Sequence, residues 1–317
     1  MTRALVTGAA GFIGSHLVTY LKAQGHWVRG CDVKRPEFGE STADEFLVAD
    51  LRHFSAALEA CNGVEHVYAL AADMGGMGYL STHHAGVLHD NALINLHTIE
   101  AAHCHDVERY FFASSACVYP ASHQTEPDCA PLREEDAYPA GPADGYGWEK
   151  LMAERLCGYY SDEYGLDTRV ARFHAIYGPQ GTWRGGREKA PAALCRKVAQ
   201  AESGDQIEVW GDGQQTRSFC FITDLVEGVY RLMQSGHAEP LNIGRDEMVT
   251  IDELAQMVIE TSGKRLEIVH VDGPQGVRGR NSDNTRLRKV LGWEPRVDLR
   301  TGLTATYFWV DRQVHSA

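Results

Sequence analysis

The stretch Arg3-Ala-Leu-Val-Thr-Gly-Ala-Ala-Gly-Phe-Ile-Gly14 decides the fold of this chain. Its first five residues read as a buried strand, and the next seven place glycines at 8, 11 and 14. Ser15-His-Leu-Val-Thr-Tyr-Leu-Lys22 continues with helical spacing. A strand, a G-x-x-G-x-x-G turn and a helix, in that order, make a pyrophosphate site. Gly8 permits the tight turn, Gly11 lets the backbone approach a phosphate, and Gly14 allows helix and strand to pack closely. The helix N-terminus then faces the anion. The next strand, Trp27-Val-Arg-Gly-Cys31, ends at Asp32, placed to accept hydrogen bonds from an adenosine ribose. An acid there repels a 2′-phosphate, so the expected cofactor is NAD rather than NADP, although Lys34 and Arg35 act against that preference. Asp50-Leu51, after the apolar stretch 45–49, is placed to meet the adenine.

Further along, strands at 66–70, 109–113 and 167–173 alternate with helices over about 88–105 and 144–164. That alternation predicts an α/β fold with a doubly wound parallel sheet, the Rossmann arrangement. After Phe173 the texture changes. Gly and Pro punctuate 178–191, and Arg184, Arg187, Lys189, Arg196 and Lys197 cluster against one acid, Glu188. Ser218 to Ile222 reads as a strand running into a helix over 224–233, and helices near 251–261, 284–291 and 300–312 close the chain. The expected division is a cofactor domain over 1–173, rejoined by a segment near 216–235, and a smaller α/β substrate lobe over 174–317.

Composition narrows the function. Lys and Arg number 30 against 43 Asp and Glu, a formal net charge of −13 among 317 residues. A general nucleic-acid binder shows a basic footprint instead, so no nucleic-acid partner is expected. The most apolar stretch, 110–119, is about half the length of a membrane span, so no membrane partner is expected. Eight cysteines are scattered without a C-x-x-C pair, and no leader pattern opens the chain. Reduced thiols in a cytoplasmic protein are the expectation. His83-His84 and His103-x-His105 lack partners at metal-ligand spacing, so no metal is expected.

The chemistry is carried by Tyr146-Gly-Trp-Glu-Lys150, whose Tyr and Lys share one helix face. A phenol is a poor base at its ordinary pKa of about 10, and an adjacent ammonium lowers that value. Such a Tyr takes the proton of a hydroxyl while hydride leaves the same carbon for NAD. Ser115, in the strand-end run Ser114-Ser-Ala-Cys-Val-Tyr119, is placed to hydrogen-bond the reacting oxygen.

These residues resemble the extended short-chain dehydrogenase/reductase family. Longer strings, namely Leu70-Ala-Ala-Asp-Met-Gly-Gly-Met-Gly78, Ser114-Ser-Ala-Cys-Val-Tyr-Pro120, Gly185-Gly-Arg-Glu-Lys-Ala-Pro-Ala-Ala193 and Gly276-Val-Arg-Gly-Arg-Asn-Ser-Asp-Asn284, look like its GDP-mannose 3,5-epimerase branch. The likeness runs to Thr306-Tyr-Phe-Trp309, nearly the whole chain. It implies cofactor contacts at Phe12, Ile13, Leu70 and Ala71 as well as at the residues above. It also implies a C4 oxidation that acidifies C3 and C5 of a GDP-hexose, with Cys117 and Lys189 as the opposed acid/base pair. A Lys serves as base only if desolvation or like charge lowers its pKa, and Arg187 is a nearby cation. Related dehydratases carry an acidic pair where this chain has Ala116-Cys117, which argues against dehydration.

The resemblance further implies hexose contacts at Gly75, Ser115, Ala116 and Cys117. Other substrate contacts fall at Glu188, Lys189, Ala190, Lys197, Gln215, Thr216, Arg217 and Arg280, where Arg and Lys suit a diphosphate. A homodimer through the helices near 88–105 and 144–164 is implied too. One departure stands out. Ala175 occupies the place of a family Asn in His174-Ala-Ile-Tyr-Gly-Pro179. A shifted hexose and inversion at C5 alone, giving GDP-L-gulose, is therefore an alternative. A non-catalytic NAD-binding regulator is another, and a net oxidoreductase releasing NADH a third.

Overall fold

The computed structural model describes residues 1–316. The chain opens with β1 (Arg3–Thr7), α1 (Phe12–Ala23), β2 (Trp27–Asp32), β3 (Glu45–Val48), α2 (Phe54–Cys61) and β4 (His66–Ala69). A short α3 (Met77–Leu80) leads into α4 (His84–Cys104), β5 (Arg109–Ser115), α5 (Gly145–Tyr164) and β6 (Asp167–Phe173). Between β5 and α5 lie 3-10 turns at Ala116–Val118, Ala121–His123 and Glu134–Ala137. The second half carries β7 (Ile176–Tyr177), α6 (Ala190–Gln200), β8 (Gln206–Trp210), β9 (Thr216–Ser218), β10 (Cys220–Phe221) and α7 (Ile222–Gln234). Then come β11 (Leu241–Ile243), β12 (Met248–Thr250), α8 (Ile251–Ser262), β13 (Glu267–Val271), β14 (Gly279–Arg280), α9 (Thr285–Leu291) and α10 (Leu299–His315).

The main sheet has seven parallel strands in the order β11-β6-β5-β4-β1-β2-β3. β4 and β5 are buried on both faces, which is why Val67-Tyr-Ala69 and Tyr110-Phe-Phe-Ala113 are apolar runs rather than alternations, whereas β6 buries Arg169 and Arg172 among its apolar residues. One core cluster, around Leu17, Leu21, Phe111 and Leu225, continues into the second lobe. A second, around Leu5, Val67, Tyr110 and Ile99, includes residues of α2, α4 and α5. The strand order reverses between β1 and β4, and a doubly wound sheet binds its ligand at such a switch point, beyond the carboxyl ends of the strands.

Helix boundaries follow local chemistry. The Asp144 side chain accepts the Gly147 N–H at 2.8 Å and starts α5, and Gly165, at φ 75°, ends it. Helix α4 begins at His84, four residues before the start expected near Leu88, after a three-residue break that follows α3. The single strand expected over 218–222 is two. β9 joins β12 and β14, β10 joins β7, and Ile222 already opens α7. The chain returns to the main sheet twice, as α7 packed on α1 and as β11 hydrogen-bonded beside β6.

Candidate functional site

The cofactor side is built of backbone. Gly8 has φ 69°, a left-handed conformation that favours glycine, and a Cβ on Gly14 would run into the Gly8 carbonyl. Helix α1 is capped by Gly11 without a side-chain hydrogen bond, so its first-turn N–H groups keep their capacity for an anion. Thr7 Oγ1 accepts the N–H groups of Leu70 and Ala71, both at 3.0 Å, fixing the ends of β1 and β4 side by side. Asp32 accepts the Ala10 N–H at 3.0 Å and the Lys34 N–H at 3.2 Å, and burial pushes its carboxyl up. It therefore braces the glycine turn as well as ending β2. Asp50 is held bidentately by Arg52, at 3.0 to 3.1 Å from Nε and 2.7 Å from Nη2, and that contact holds its carboxyl down. Leu51 is buried, and Phe12 and Ile13 are half-buried against the core. A cleft of about 260 Å³ opens beside Gly11 and Phe12, with Ser15, Lys34 and Gln180 on its walls. The fixed glycine turn, the open helix end and the cleft fit a dinucleotide. Gly8, Gly11, Gly14 and Asp32 would hold it.

The residues expected to carry the chemistry sit where β5 ends and α5 begins. Tyr146 and Lys150 lie one turn apart on α5, with Lys150 Nζ 5.5 Å from the Tyr146 ring centroid and 4.8 Å from that of Phe112. Lys150 is buried beside Glu149, at 3.7 Å. Asn91 and Asn95 of α4 donate to Glu149 at 3.0 and 2.9 Å, so a buried polar network backs the lysine. The expectation that Lys150 brings the Tyr146 phenol down is not met in this state. Burial raises the phenol well above its ordinary value, the charges of Cys117 and Glu149 add to that, and the Ser115 hydrogen bond pulls the other way.

Ser115 also accepts the Cys117 N–H at 3.2 Å, so the same hydroxyl shapes the turn that presents the thiol. Arg280 Nη1 lies 3.3 Å from Cys117 Sγ. Lys189 is half-buried at the start of α6, where desolvation, with a smaller contribution from Arg280, lowers its ammonium pKa, while Cys117 opposes the shift. Cys117 and Lys189 thus lie within each other's field although 72 residues apart in the chain of 317. The cation that depresses Lys189 is Arg280 and not Arg187. Arg187 turns away, pairs with Asp73 at 2.6 Å, and stacks over Tyr79 at 3.8 Å from the ring centroid. Tyr79 OH in turn donates to Asp73 at 2.7 Å, and Gly76 N donates to the Arg187 carbonyl at 3.0 Å. The segment carrying Lys189 is clasped to the loop carrying Gly75.

Arg217 and Arg280 are register partners on β9 and β14. Among the described residues neither forms an ion pair, and burial with the charge of Arg280 brings Arg217 down to about 10. Arg217 donates to the backbone carbonyls of Thr216 at 2.7 Å, Gln275 at 3.3 Å and Val277 at 2.7 Å, and with no carboxylate beside either guanidinium the pair leaves positive charge at this place. Other expected substrate contacts are committed within the protein. Glu188 accepts Gly186 N at 2.7 Å and Arg196 at 3.0 Å, Lys197 donates to the Glu208 carbonyl at 2.7 Å, and Thr216 donates to the Pro127 carbonyl. Gln215 donates to the Trp210 carbonyl at 2.9 Å and leaves its buried Oε1 unpartnered. Ala116 is buried and Ala190 half-buried. Asn91 and Gln124 lie outside every motif, Thr7 and Asp73 lie inside motif strings that give them no role, and the contacts of all four form only in the fold.

The fold and the site together define an NAD-dependent enzyme, and the chain belongs to the NAD dependent epimerase/dehydratase family, whose model matches residues 4–244. It is 51% identical over 311 residues to the GDP-mannose 3,5-epimerase of Arabidopsis thaliana, covering 98% of this chain and 82% of that relative. It superimposes on the UDP-glucose 4-epimerase of Thermotoga maritima, solved with UDP-glucose, with a TM-score of 0.89 at 25% identity, covering 98% of this chain and 99% of that one. A Thermus thermophilus UDP-glucose 4-epimerase, solved with NAD, matches with a TM-score of 0.83 at 25% identity over 97% of this chain and 98% of that one. No helix among the described residues is long and apolar enough to cross a membrane.

Proposed function

We propose that this chain epimerises GDP-D-mannose at C3 and C5, giving GDP-L-galactose and GDP-L-gulose. The observation that carries the reading is the Cys117 thiol, held against Arg280 and within the field of Lys189 beside the Tyr146–Ser115 pair. The likeness to a GDP-mannose 3,5-epimerase over 98% of this chain supports the substrate. NAD, held by the glycine turn and Asp32, would supply the hydride acceptor and donor for the sugar C4. Ser115 and Tyr146 hold the C4 oxygen and move its proton. With C4 at the ketone level, the C–H bonds at C3 and C5 become acidic. Inversion then needs a base on one face and an acid on the other. Lys189, its ammonium disfavoured by burial, serves as the base of the pair. Cys117 Sγ takes the opposed position. Arg217 and Arg280 bind the diphosphate, with Gly75 and Ala116 bordering the hexose and Glu188, Ala190, Lys197, Gln215 and Thr216 completing the substrate contacts.

The division of labour proposed with it gives NAD to residues 1–173, rejoined near 216–235, and the substrate to 174–317. The dinucleotide contacts are Gly8, Gly11, Phe12, Ile13, Gly14, Asp32, Asp50, Leu51, Leu70, Ala71, Tyr146 and Lys150. The partner proposed is a second copy. Leu88 and Leu96 on α4 and Trp148, Met152 and Tyr159 on α5 leave an apolar face exposed. Sedimentation of the wild type against Trp148→Glu decides this, since an unaltered monomer for both would sink it. All eight cysteines are free, which suits a reducing cytoplasm, and cell fractionation tests the location. The test of the reaction is incubation with GDP-mannose and NAD in heavy water, with deuterium located by NMR. Label at both C3 and C5 is the expected result, and label at neither refutes the reading.

A further inference from the structure

The Arg280–Cys117 contact is not made by those two residues alone. Arg280 stands at the end of β14, and Cys117 in the 3-10 turn after β5, 163 positions away. Between them lies Gln124, of which 1% is exposed. Its Oε1 accepts from Arg280 Nε at 2.5 Å, on the guanidinium edge next to the one that meets the sulfur. Its Nε2 donates to two backbone carbonyls, Tyr119 at 3.2 Å and Pro120 at 3.1 Å. Those two acceptors fix which end of the amide is oxygen, because a flipped amide would set its oxygen against carbonyls and its NH₂ against a cation. The Gln124 backbone carbonyl also accepts Arg278 N at 2.9 Å and Gly279 N at 3.3 Å. One residue therefore ties the backbone and the side chain of the β14 segment to the turn that carries the thiol.

A guanidinium with five donors and a long stem does not choose one direction by itself. Here no carboxylate among the described residues pairs with Arg280, so a neutral amide sets its direction and leaves its charge uncompensated. A carboxylate at position 124 would cancel the charge, and its second oxygen would stand against the Tyr119 and Pro120 carbonyls. The choice of Gln over Glu therefore matters to whatever the guanidinium faces. We propose that Gln124 is a positioning residue of the acid/base site: its buried amide aims the uncompensated guanidinium of Arg280 at the sulfur of Cys117 and so sets the reactivity of that thiol.

A cation at the sulfur favours its anionic form, the form that takes a proton or attacks an electrophile. The other charged or titratable groups facing Cys117 are Tyr146 on α5, Lys189 at the start of α6 and Arg217 on β9. None of them is hydrogen-bonded to Gln124, so a change at 124 reaches the thiol through Arg280 or through the Tyr119–Pro120 turn, and the Arg280→Met background separates the two. The catalytic consequence rests on the role proposed above for Cys117. The thiol itself is measured directly, so the two readings fail separately.

The experiment is the rate of iodoacetamide alkylation of Cys117 in the intact protein, followed by mass spectrometry of its peptide from pH 6 to 9. Cys104, the exposed cysteine, serves as internal reference. Gln124→Glu should slow Cys117 alkylation near neutral pH about tenfold, while Cys104 is unaffected. Gln124→Met, which fills the same space without aiming the guanidinium, should slow it by less. In an Arg280→Met background, Gln124→Glu should add no further slowing. Should Gln124→Met fail to fold, the Glu variant and the double variant still decide. Alkylation as fast in folded Gln124→Glu as in the wild type overturns the proposal. So does slowing that persists in full without Arg280. If the alkylation result holds but no deuterium enters GDP-mannose in the wild type, the positioning role stands and the epimerase reading falls.

Discussion

The two halves of the crevice are made of different material. The cofactor side is local and built of backbone, with Gly8, Gly11 and Gly14 in one turn and Thr7 just before them. The side proposed for the substrate is assembled from side chains that meet only after folding. Cys117 comes from the turn after β5, Lys189 from the clasped segment before α6, and Arg217 and Arg280 from two strands of a small sheet. A turn that must admit a phosphate needs volume removed, and glycine removes it within seven residues. A site that must invert a carbon needs opposed groups on two faces of a sugar, and no short segment offers both faces. Errors on the first side should therefore act through sterics, and errors on the second through charge.

The largest expected effect tests the steric half. Gly14→Val would push carbon into the Gly8 carbonyl, a backbone atom that cannot swing aside. We expect NAD to be lost from the purified protein and stability to drop by about 3 kcal/mol, the scale of overpacking in a tight core. Bound nucleotide released by acid and a urea titration check both. Retained NAD would show that the turn has more slack than its geometry allows.

The charge half is tested at Lys189. Its ammonium is pushed down by burial, so the folded protein binds the lysine proton less well than the unfolded chain does. Between the lowered folded value and the ordinary value of about 10.5, the unfolded state holds more protons, and stability rises with pH. Below that window the charged side chain is a constant cost. Lys189→Met should therefore abolish epimerisation, by about a hundredfold or more, while melting higher than the wild type near neutral pH. The gain should shrink as pH climbs toward 10.5. Melting curves from pH 7 to 10.5 check it. A gain independent of pH would mean that lost charge is not the reason.

His174 gives a smaller effect away from either half. It is buried, bonded to Asn242 Oδ1 at 3.0 Å, and burial lowers it to about 3. The unfolded chain takes up its proton near the ordinary value of about 6.5, so stability should fall as pH drops from there toward the folded value. Replacing His174 by Gln should flatten that acid limb in a melting series. An unchanged limb would assign it to other groups, such as His66, which burial lowers to about 4.

The smallest effect sharpens the comparison at Ala175. Its φ is 38°, a left-handed conformation that costs an alanine about 1 kcal/mol and that Asn or Gly tolerates. A backbone reason therefore exists for an Asn there, beside any contact with a substrate. Ala175→Gly and Ala175→Asn should both stabilise the protein by about 1 kcal/mol in urea. Only the Asn variant should alter the ratio of GDP-L-galactose to GDP-L-gulose if its amide touches the hexose. Identical ratios in all three proteins would leave position 175 a purely conformational one.

What could be read in the chain follows the same line. The residue order determined the doubly wound sheet, the glycine turn, Asp32 at the end of β2 and the Tyr146–Lys150 pair. Each depends on spacings of a few residues, which strand and helix periods convert directly into geometry. Short range also explains why helix ends at Asp144 and Gly165 were within a residue of expectation. The tertiary structure alone decided which cation meets which partner. Arg187 belongs to Asp73, and Arg280 to Cys117 and Gln124. It alone put the Tyr146 phenol in a place where burial outweighs the lysine beside it. It also split the strand expected at 218–222, because β9 and β10 have partners in two different sheets. Charge pairing and desolvation depend on distances in space, and contacts between positions 163 apart leave no period or spacing in the sequence from which to read them.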